Sequence, residues 1–323
     1  MNRIYRFDTA KTILIVQVVF CHAITFCDGP LSLKEFARFS ILGCAMPVFM
    51  FISGWFSKSE LSIRSVLGLS TLFVICNTVG NLIWAISHGT TFNPLLRAVV
   101  MWYLMVLIIY RLAMPILSRF SSKTLVISSF FLSWCVVLLP VGLPTIANRL
   151  IAFLPFFVLG YVVSREPRMK GVRAWISAEP GKVVYACILV AILIAGAVFS
   201  IEGIRPGFLT RNITFSISGG GMRIVLERFF FQALYIVMGI CFLKACPIKK
   251  TCLAEFGART LPVYLFHPYL LVPIAALVSN YQALSCWQIR YCMMGGAAIG
   301  SLLFFHRFFS ILTQKIVRLR IRG

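Results

Sequence analysis

The chain has 323 residues, of which 60% are apolar and only 12% are charged, and its net charge is +22 at pH 7. Soluble globular proteins carry roughly 25% charged residues, so this chain has too little polar surface to cover a soluble core of its size. Composition therefore excludes an ordinary soluble enzyme. It predicts a protein that buries much of its apolar surface in lipid.

Apolar stretches follow one another along the whole chain, separated by charged breaks or by breaks with Gly and Pro. A membrane-spanning helix needs about 20 mostly apolar residues, and long runs without alternation do not fit a lipid-facing barrel. We therefore expect an all-α integral membrane protein with about ten transmembrane helices and no soluble domain. The stretches are Thr12–Cys27, Phe39–Phe56, Val66–Ile86, Ala98–Met114, Leu125–Val141, Ile151–Val163, Val183–Ser200, Phe229–Leu243, Leu261–Val278 and Tyr291–Phe309.

Lys and Arg are unevenly divided between the two sides that alternating helices would create. If the N-terminus is cytoplasmic, the outward connections hold 9 of the 31 basic residues and the inner side holds the other 22. The densest inner runs lie in residues 165–173, 244–250 and 315–322. An excess of basic residues marks the cytoplasmic side, so we expect both termini in the cytoplasm.

The basic inner connections also indicate which partners the protein has. Lys and Arg beside membrane helices attract anionic lipid headgroups, so anionic membrane lipids are expected as partners and nucleic acid is not. The 11 cysteines lie mostly inside the apolar stretches, and none forms a C-x-x-C pair or a His-linked metal spacing. We therefore expect neither a disulfide framework nor a metal site.

The first apolar stretch carries ionisable side chains, which are costly inside a membrane and point to function or to a partner on another helix. His22 lies eleven residues after Lys11, only roughly 20° past three full helical turns. Asp8 is the i,i+3 neighbour of Lys11. One helix face is thus predicted to carry a carboxylate, an ammonium and an imidazole. Taken singly, a packed, hydrogen-bonded His22 and a Lys11 that anchors the interface explain the residues equally well.

The spacing D-x-x-K-x10-H, at Asp8, Lys11 and His22, resembles the signature of the acyltransferase 3 superfamily of membrane acyltransferases. More narrowly, F-D-T-A-K-T-I-L-I-V-Q-V-V-F-C-H is similar to the start of the fucose 4-O-acetylase-like branch. The resemblance implies a single acyltransferase-3-like membrane domain over residues 1–323. Further matches occur in the family's order: M-P-V-F-M-F-I-S-G-W-F at Met46–Phe56, W-Y-L-x-x-L at Trp102–Leu107, F-L-P-F-F-V-L-G-Y at Phe153–Tyr161 and V-Y-L-F-H at Val263–His267.

The chain departs from the wider family in one respect. The R-x-x-R pair that follows the second helix there is missing, and Lys58 and Arg64 stand in that region. Without this arginine pair, it stays open which residues bind the donor substrate. The branch with Lys at the position of Lys11 is the better match.

Members of this superfamily are understood to move an acyl group, commonly acetyl, from cytoplasmic acyl-CoA to a sugar hydroxyl outside. The resemblance implies an O-acyltransferase of the bacterial inner membrane, with acyl-CoA and a surface polysaccharide or lipid-linked glycan as partners. Acetyl-CoA, or another acyl-CoA, is then a donor substrate, and no tightly bound cofactor is expected. His22 is predicted to act as catalytic base or as acyl carrier, because an imidazole accepts a proton near neutral pH.

Basic side chains at the cytoplasmic mouth are expected to hold the phosphates of the donor. The predicted donor-binding set is Lys11, with Asp8 balancing its charge, together with Arg64, Arg111 and Arg119.

Three further sets of residues lie inside the apolar stretches. His267 is a second candidate catalytic residue, although a packed and hydrogen-bonded role explains it equally well. Asn77 and Asn81 share one face of the third stretch and are candidates for lining the same cavity. Ser53, followed by a glycine, is expected to be a close-packing element rather than a nucleophile.

The outer side holds two candidate substrate elements. Trp102 and Tyr103 lie near the outer end of the fourth stretch, where they suit either an interfacial belt or stacking against a sugar. The connection Ile201–Arg228 contains S-I-S-G-G-G, and its length predicts a lid or rim.

Two other classes of protein stay open. A glycolipid transporter or flippase is compatible with ten spans, although the two halves of the sequence do not look alike. A non-catalytic membrane scaffold is compatible with the missing arginine pair. Acyl-CoA hydrolysis or labelling by the purified protein separates the classes, because only the enzyme is expected to show it.

Overall fold

The structure is a computed structural model of the chain, and it describes residues 3–94, 100–138, 145–179, 181–202, 221–280 and 286–318. Regular structure in these ranges is helical throughout. In chain order the helices are α1 Tyr5–Phe26, α2 Leu31–Trp55, α3 Ile63–His88, α4 Trp102–Leu117, α5 Ser122–Leu138, α6 Thr145–Arg165, α7 Lys170–Ser177, α8 Lys182–Ile201, α9 Gly221–Ala245, α10 Cys252–Asn280, α11 Trp287–Ser301 and α12 Arg307–Arg318.

Seven of the helices in the described ranges are long and apolar enough to cross a membrane, namely α1, α2, α3, α6, α8, α9 and α10. An eighth candidate joins α11 to α12 across a bend of 64°. Helices α4 and α5 are apolar but shorter. Each of the ten predicted stretches overlaps a helix, so the all-α class is confirmed, whereas the number of about ten crossings stays a prediction.

Helix α8 shows how the apolar surface is used. Its most apolar window has a mean hydropathy of 2.7, and only 11% of that window is buried inside the protein. Large apolar side chains such as Val183, Ile194 and Phe199 are exposed. A helix with apolar side chains exposed along its length needs lipid around it, and the protein is accordingly an integral membrane protein.

Helices α2 and α6 cross at two facing glycines. A Cβ on Gly54 would overlap the carbonyl oxygen of Phe157, and a Cβ on Gly160 would overlap that of Phe51. Only glycine permits such an approach of two backbones, as small residues do generally in membrane helix pairs. The crossing bears out the close-packing role expected for the segment with Ser53.

Helix α2 contains one wide turn. The segment Ile41–Ala45 is a π-helix, and the side-chain amide of Gln17 in α1 donates to the carbonyl of Ser40 at 3.1 Å just before it. Such turns occur mostly as single bulges and often at functional sites. Here the wide turn sets Ile41 and Leu42 against a cavity described below.

The amphipathic helix α7 is fixed by two buried cations at its C-terminal end. Arg6 donates to the carbonyls of Ile176 and Ala178, and Lys244 donates to those of Trp175 and Ala178 at 2.8 and 2.9 Å. Both cations are almost fully buried. Cations satisfy free carbonyls and favour the negative end of the helix dipole, so α1, α7 and α9 are tied together.

The structure differs from two expectations drawn from the sequence, one about the last apolar stretch and one about the outer connection. The prediction of one helix over Tyr291–Phe309 is wrong. Leu302–Phe305 forms a 3₁₀ turn, His306 has an extended backbone, and α12 begins after it. In the predicted lid Ile201–Arg228, the part from Gly221 onward is the first turns of α9. Residues 203–220 of that lid lie outside the described residues.

Candidate active site

A cavity of about 510 Å³ lies at the end of the bundle where α1 ends and α4 begins, and we call it the His22 cavity. Its volume is within the range of roughly 300–1,000 Å³ typical of small-molecule sites. The lining residues are Val18, His22, Thr25, Phe26, Arg38, Ile41, Leu42, Met46, Trp84, Val100, Trp102, Tyr103, Arg149 and Tyr264. Six helices, namely α1, α2, α3, α4, α6 and α10, therefore bring aromatic, basic and imidazole side chains to one space.

His22 is hydrogen-bonded to His267 of α10, and the pair joins the two helices that carry the candidate catalytic residues. The Nδ1 atom of His22 lies 3.1 Å from Nε2 of His267, and the two rings are nearly parallel, with centroids 5.2 Å apart. On its other side, Nδ1 of His267 lies 2.9 Å from the carbonyl oxygen of Val263. His267 is fully buried and does not line the cavity, whereas His22 does.

The order of hydrogen bonds fixes the tautomers of the two neutral imidazoles. The carbonyl of Val263 can only accept, so Nδ1 of His267 carries a proton and its Nε2 is left as an acceptor. His22 must then donate from Nδ1. Its Nε2 is consequently unprotonated, and it is the ring nitrogen left to meet a molecule in the cavity. This arrangement gives His22 the form that a general base needs.

Tyr264 fixes the beginning of α4 beside the imidazole pair. Its hydroxyl donates to the carbonyl of Val100 at 2.7 Å and accepts from the backbone N–H of Leu104 at 3.3 Å. The hydroxyl thus caps α4, because it accepts a hydrogen bond from an otherwise free N–H of the first turn. Trp102 and Tyr103, in that first turn, are set into the cavity wall.

Two arginines line the His22 cavity. The guanidinium of Arg149 lies over the ring of Trp102, 4.7 Å from its centroid. Arg38 donates to the buried Glu35 one helical turn away, at 2.5 Å. Sequence reasoning placed both arginines in outward connections and gave them no role. The available signal was an arginine directly before an apolar stretch, which for Arg38 also lies between Phe36 and Phe39.

A smaller cavity of about 230 Å³, the Arg111 cavity, lies where α2 ends and α3 begins. Phe56 in its wall contacts the ring of Phe7 near the start of α1, so the two cavities lie towards opposite ends of the bundle. The guanidinium of Arg111 donates to the hydroxyl of Ser65. The lining residues are Phe56, Ser57, Lys58, Glu60, Leu61, Ser62, Ser65, Val66, Arg111 and Met114.

A hydrogen bond between Ser53 and Tyr103 connects the walls of the two cavities. The hydroxyls of these residues lie 2.8 Å apart. Tyr103 lines the His22 cavity, and Ser57, four residues after Ser53 and just beyond the end of α2, lines the Arg111 cavity. Tyr103 and Arg111 lie two turns apart on α4, about 12 Å of rise. The Ser53–Tyr103 contact therefore lies between the walls of the two cavities.

The donor-binding residues predicted from the sequence do not all meet. Arg111 lines the smaller cavity, while Arg64 and Arg119 are exposed and outside its lining. Lys11 pairs with Asp8 at 2.8 Å, and Arg3 binds the other oxygen of that carboxylate at 2.6 Å. The hydrogen bond from Arg3 to Asp8 raises the pKa of this guanidinium. Lys11 and Asp8 thus form a local ion cluster at the start of α1, as the balancing role expected for Asp8 requires.

The remaining candidates lie outside the two cavities. Asn77 and Asn81 are buried, and Asn77 donates to the carbonyl of Pro94 at 3.3 Å, whereas Trp84 of the same helix reaches the His22 cavity. Across the described ranges, no three His, Cys, Asp or Glu side chains come close enough together to hold a metal ion.

Comparison with known proteins identifies the family of the chain. A family model described as an acyltransferase domain matches residues 4–306, nearly the whole chain. No curated protein and no solved structure gave a significant match. The match spans both helices of the imidazole pair and both cavities, and the chain belongs to the acyltransferase 3 family of membrane acyltransferases.

Proposed function

We propose that the protein is an O-acyltransferase of the bacterial inner membrane. It moves an acyl group, acetyl in the commonest case, from cytoplasmic acyl-CoA to a hydroxyl of a surface polysaccharide or of its lipid-linked precursor. The observation that carries the proposal is the chain of hydrogen bonds from Val263 through His267 to His22, which leaves a basic nitrogen of His22 for the cavity.

The acceptor sugar occupies the His22 cavity in this proposal. Trp84, Trp102 and Tyr103 offer flat faces for a sugar ring, and His22 lies among the same lining residues. The acceptor hydroxyl gives its proton to Nε2 of His22 as its oxygen attacks the thioester carbonyl. The carbon–sulfur bond then breaks, and the proton passes from His22 to the leaving thiolate, so that an ester and free CoA result.

The donor enters at the opposite end. The Arg111 cavity carries Lys58 and Arg111 against one acid, Glu60, which suits the phosphates of CoA. The acyl end then reaches past the Ser53–Tyr103 contact to His22. An acyl group carried covalently on Nε2 of His22 uses the same geometry in two steps, and rapid quenching followed by intact-protein mass spectrometry separates the two routes.

The proposal is tested with purified protein, radiolabelled acetyl-CoA and the glycan from a strain that lacks the gene. Wild-type protein is expected to transfer label to the glycan, and His22→Ala is expected to lose this transfer by at least about 100-fold. The matched control is His306→Ala, since His306 is exposed and outside both cavities. Equal transfer by His22→Ala and wild type, or no turnover of any acyl-CoA, contradicts the proposal.

A further inference from the structure

The charges on the wall of the His22 cavity are all of one sign. Its charged lining residues are Arg38 and Arg149, and none of the described lining residues is Asp or Glu. Glu35, three residues before Arg38, is 3% exposed and lies behind the wall, where it binds Arg38. Two guanidinium groups against one carboxylate leave the site with an excess of positive charge. A neutral sugar needs hydrogen-bond partners, but it gains no affinity from an excess of positive charge.

The two arginines are held in place by other side chains. Arg38 is fixed by its pairing with Glu35, and its side chain is still 39% exposed. Arg149 is held over Trp102, which itself lines the cavity. Guanidinium groups held in this manner match the planar, bidentate geometry of carboxylate and phosphate oxygens. The aromatic faces and the guanidinium groups together fit a sugar that carries an acid.

We propose that the His22 cavity binds an anionic substrate group, a carboxylate or a phosphate, through Arg38 and Arg149. This inference rests on the proposed function, because it specifies the substrate class of the same site. The negative group belongs either to the acceptor glycan, as in a uronic acid or a sugar phosphate, or to the transferred acyl group, as in a dicarboxylic acyl chain. Both sources share the chemistry that the arginines recognise.

Binding is tested first, without any transfer. Saturation-transfer NMR compares methyl β-D-glucuronide with methyl β-D-glucoside on the purified full-length protein, because the two probes differ only by the carboxylate. Glucose 6-phosphate compared with glucose tests a phosphate in the same manner. An acid is expected to bind at least about tenfold more tightly than its neutral counterpart, as charge-assisted hydrogen bonds are roughly twice as strong as neutral ones.

Variants assign the effect to the cavity. Arg149→Gln is expected to remove the preference for the acid. Arg38→Gln is combined with Glu35→Gln, because removal of one partner of a buried ion pair leaves the other uncompensated. The control is Arg223→Gln, whose side chain is 85% exposed and pairs with Glu227 outside the cavity. Equal affinity for acid and neutral probe, no saturable signal from either acid, or an unchanged preference in Arg149→Gln overturns the inference.

Transfer assays then identify the source of the charge. The glycan from the deletion strain is used as isolated and after reduction of its carboxyl groups to alcohols or removal of its phosphates, with acetyl-CoA or succinyl-CoA as donor. An acceptor acid predicts about a tenfold loss of transfer to the treated glycan with either donor. An acid on the acyl group predicts that succinyl-CoA is preferred and that the treatment has no effect. If the acidic probes bind through Arg149 and no acyl-CoA is turned over, the proposed function fails while the anionic site stands.

Discussion

At the scale of single residues, the chemistry depends on which nitrogen of His22 is free. An isolated imidazole exchanges its proton between two nitrogens, and only one form can accept a proton from the cavity side. His267, held by the carbonyl of Val263, selects that form through a contact of 3.1 Å. In the proposed mechanism, His267 is a positioning residue and His22 meets the reacting atoms.

This division of roles predicts different consequences for the two histidines. His267→Ala is expected to lower kcat less than His22→Ala does, with little change in the KM for acyl-CoA, since the base remains but is no longer held in one tautomer. His267→Gln, whose side-chain oxygen can accept from His22, is expected to recover part of the loss. Steady-state kinetics checks this, and wild-type kcat in His267→Ala would remove the positioning role.

Arg111 and Arg119 form a matched pair on or just after one helix. Arg111 lines the smaller cavity and Arg119 is exposed. Arg111→Ala is expected to raise the KM for acyl-CoA by about tenfold while leaving kcat nearly unchanged, because a lost phosphate contact weakens ground state and transition state alike. Arg119→Ala is expected to have the kinetics of the wild type. Equal effects in the two variants would exclude the Arg111 cavity as the donor site.

The site could be predicted in part. His22, Trp102 and Tyr103 were singled out by residue type and by resemblance, and the structure gathers them in one cavity with His267 directly behind. Arg38 was missed because the polar sequence L-S-L-K-E-F-A-R-F-S lowers the hydropathy of the first turns of α2, so the predicted helix began at Phe39. Contacts between helices distant in sequence, such as Tyr264 with the start of α4, leave no local pattern.

At the scale of helices, the crossing of α2 and α6 is the tightest contact that the glycines reveal. Gly54→Ala and Gly160→Ala are each expected to lower the free energy of unfolding by about 1–3 kcal/mol, because the added methyl group meets backbone that cannot move aside. Thermal unfolding in detergent measures this. Gly295→Ala in α11 is the control, since nothing lies within 4 Å of its added Cβ. Similar melting temperatures for all three variants would contradict the packing.

Helix positions were more predictable than helix ends. Apolar composition alone located a helix for every expected stretch, because burial in lipid requires long apolar runs. The π-turn Ile41–Ala45 and the break at Leu302–Phe305 were not predicted. Both segments are apolar, neither contains Pro, and Gly43 is the one glycine in them. Tertiary packing rather than local propensity therefore determines these two irregular turns.

At the scale of the whole molecule, the proposed function divides the reaction between two cavities at opposite ends of the bundle. Phe7 at the start of α1 lies beside the Arg111 cavity, while His22 and Phe26 near the end of α1 line the other. An enzyme that takes its donor from one side of a membrane and its acceptor from the other requires this separation. The distribution of Lys and Arg predicts that the Arg111 end is cytoplasmic.

Orientation is tested with two exposed native cysteines, Cys252 at the start of α10 and Cys286 just before α11. Variants that keep one of them and no other cysteine are treated with a membrane-impermeant maleimide on intact spheroplasts. Cys286 is expected to react, and Cys252 is expected to react only after permeabilisation. The reverse pattern would invert the topology, and with it the assignment of donor and acceptor cavities.

The most direct measurement compares the O-acylation of surface polysaccharide, by NMR or mass spectrometry, in three strains. One lacks the gene, one re-expresses the wild type, and one re-expresses His22→Ala at matched abundance in the membrane. The account predicts that an acyl group disappears on deletion, returns with the wild type and does not return with His22→Ala. Restoration of the group by His22→Ala would contradict the catalytic role of His22, and an unchanged glycan in the deletion strain would contradict the transferase itself.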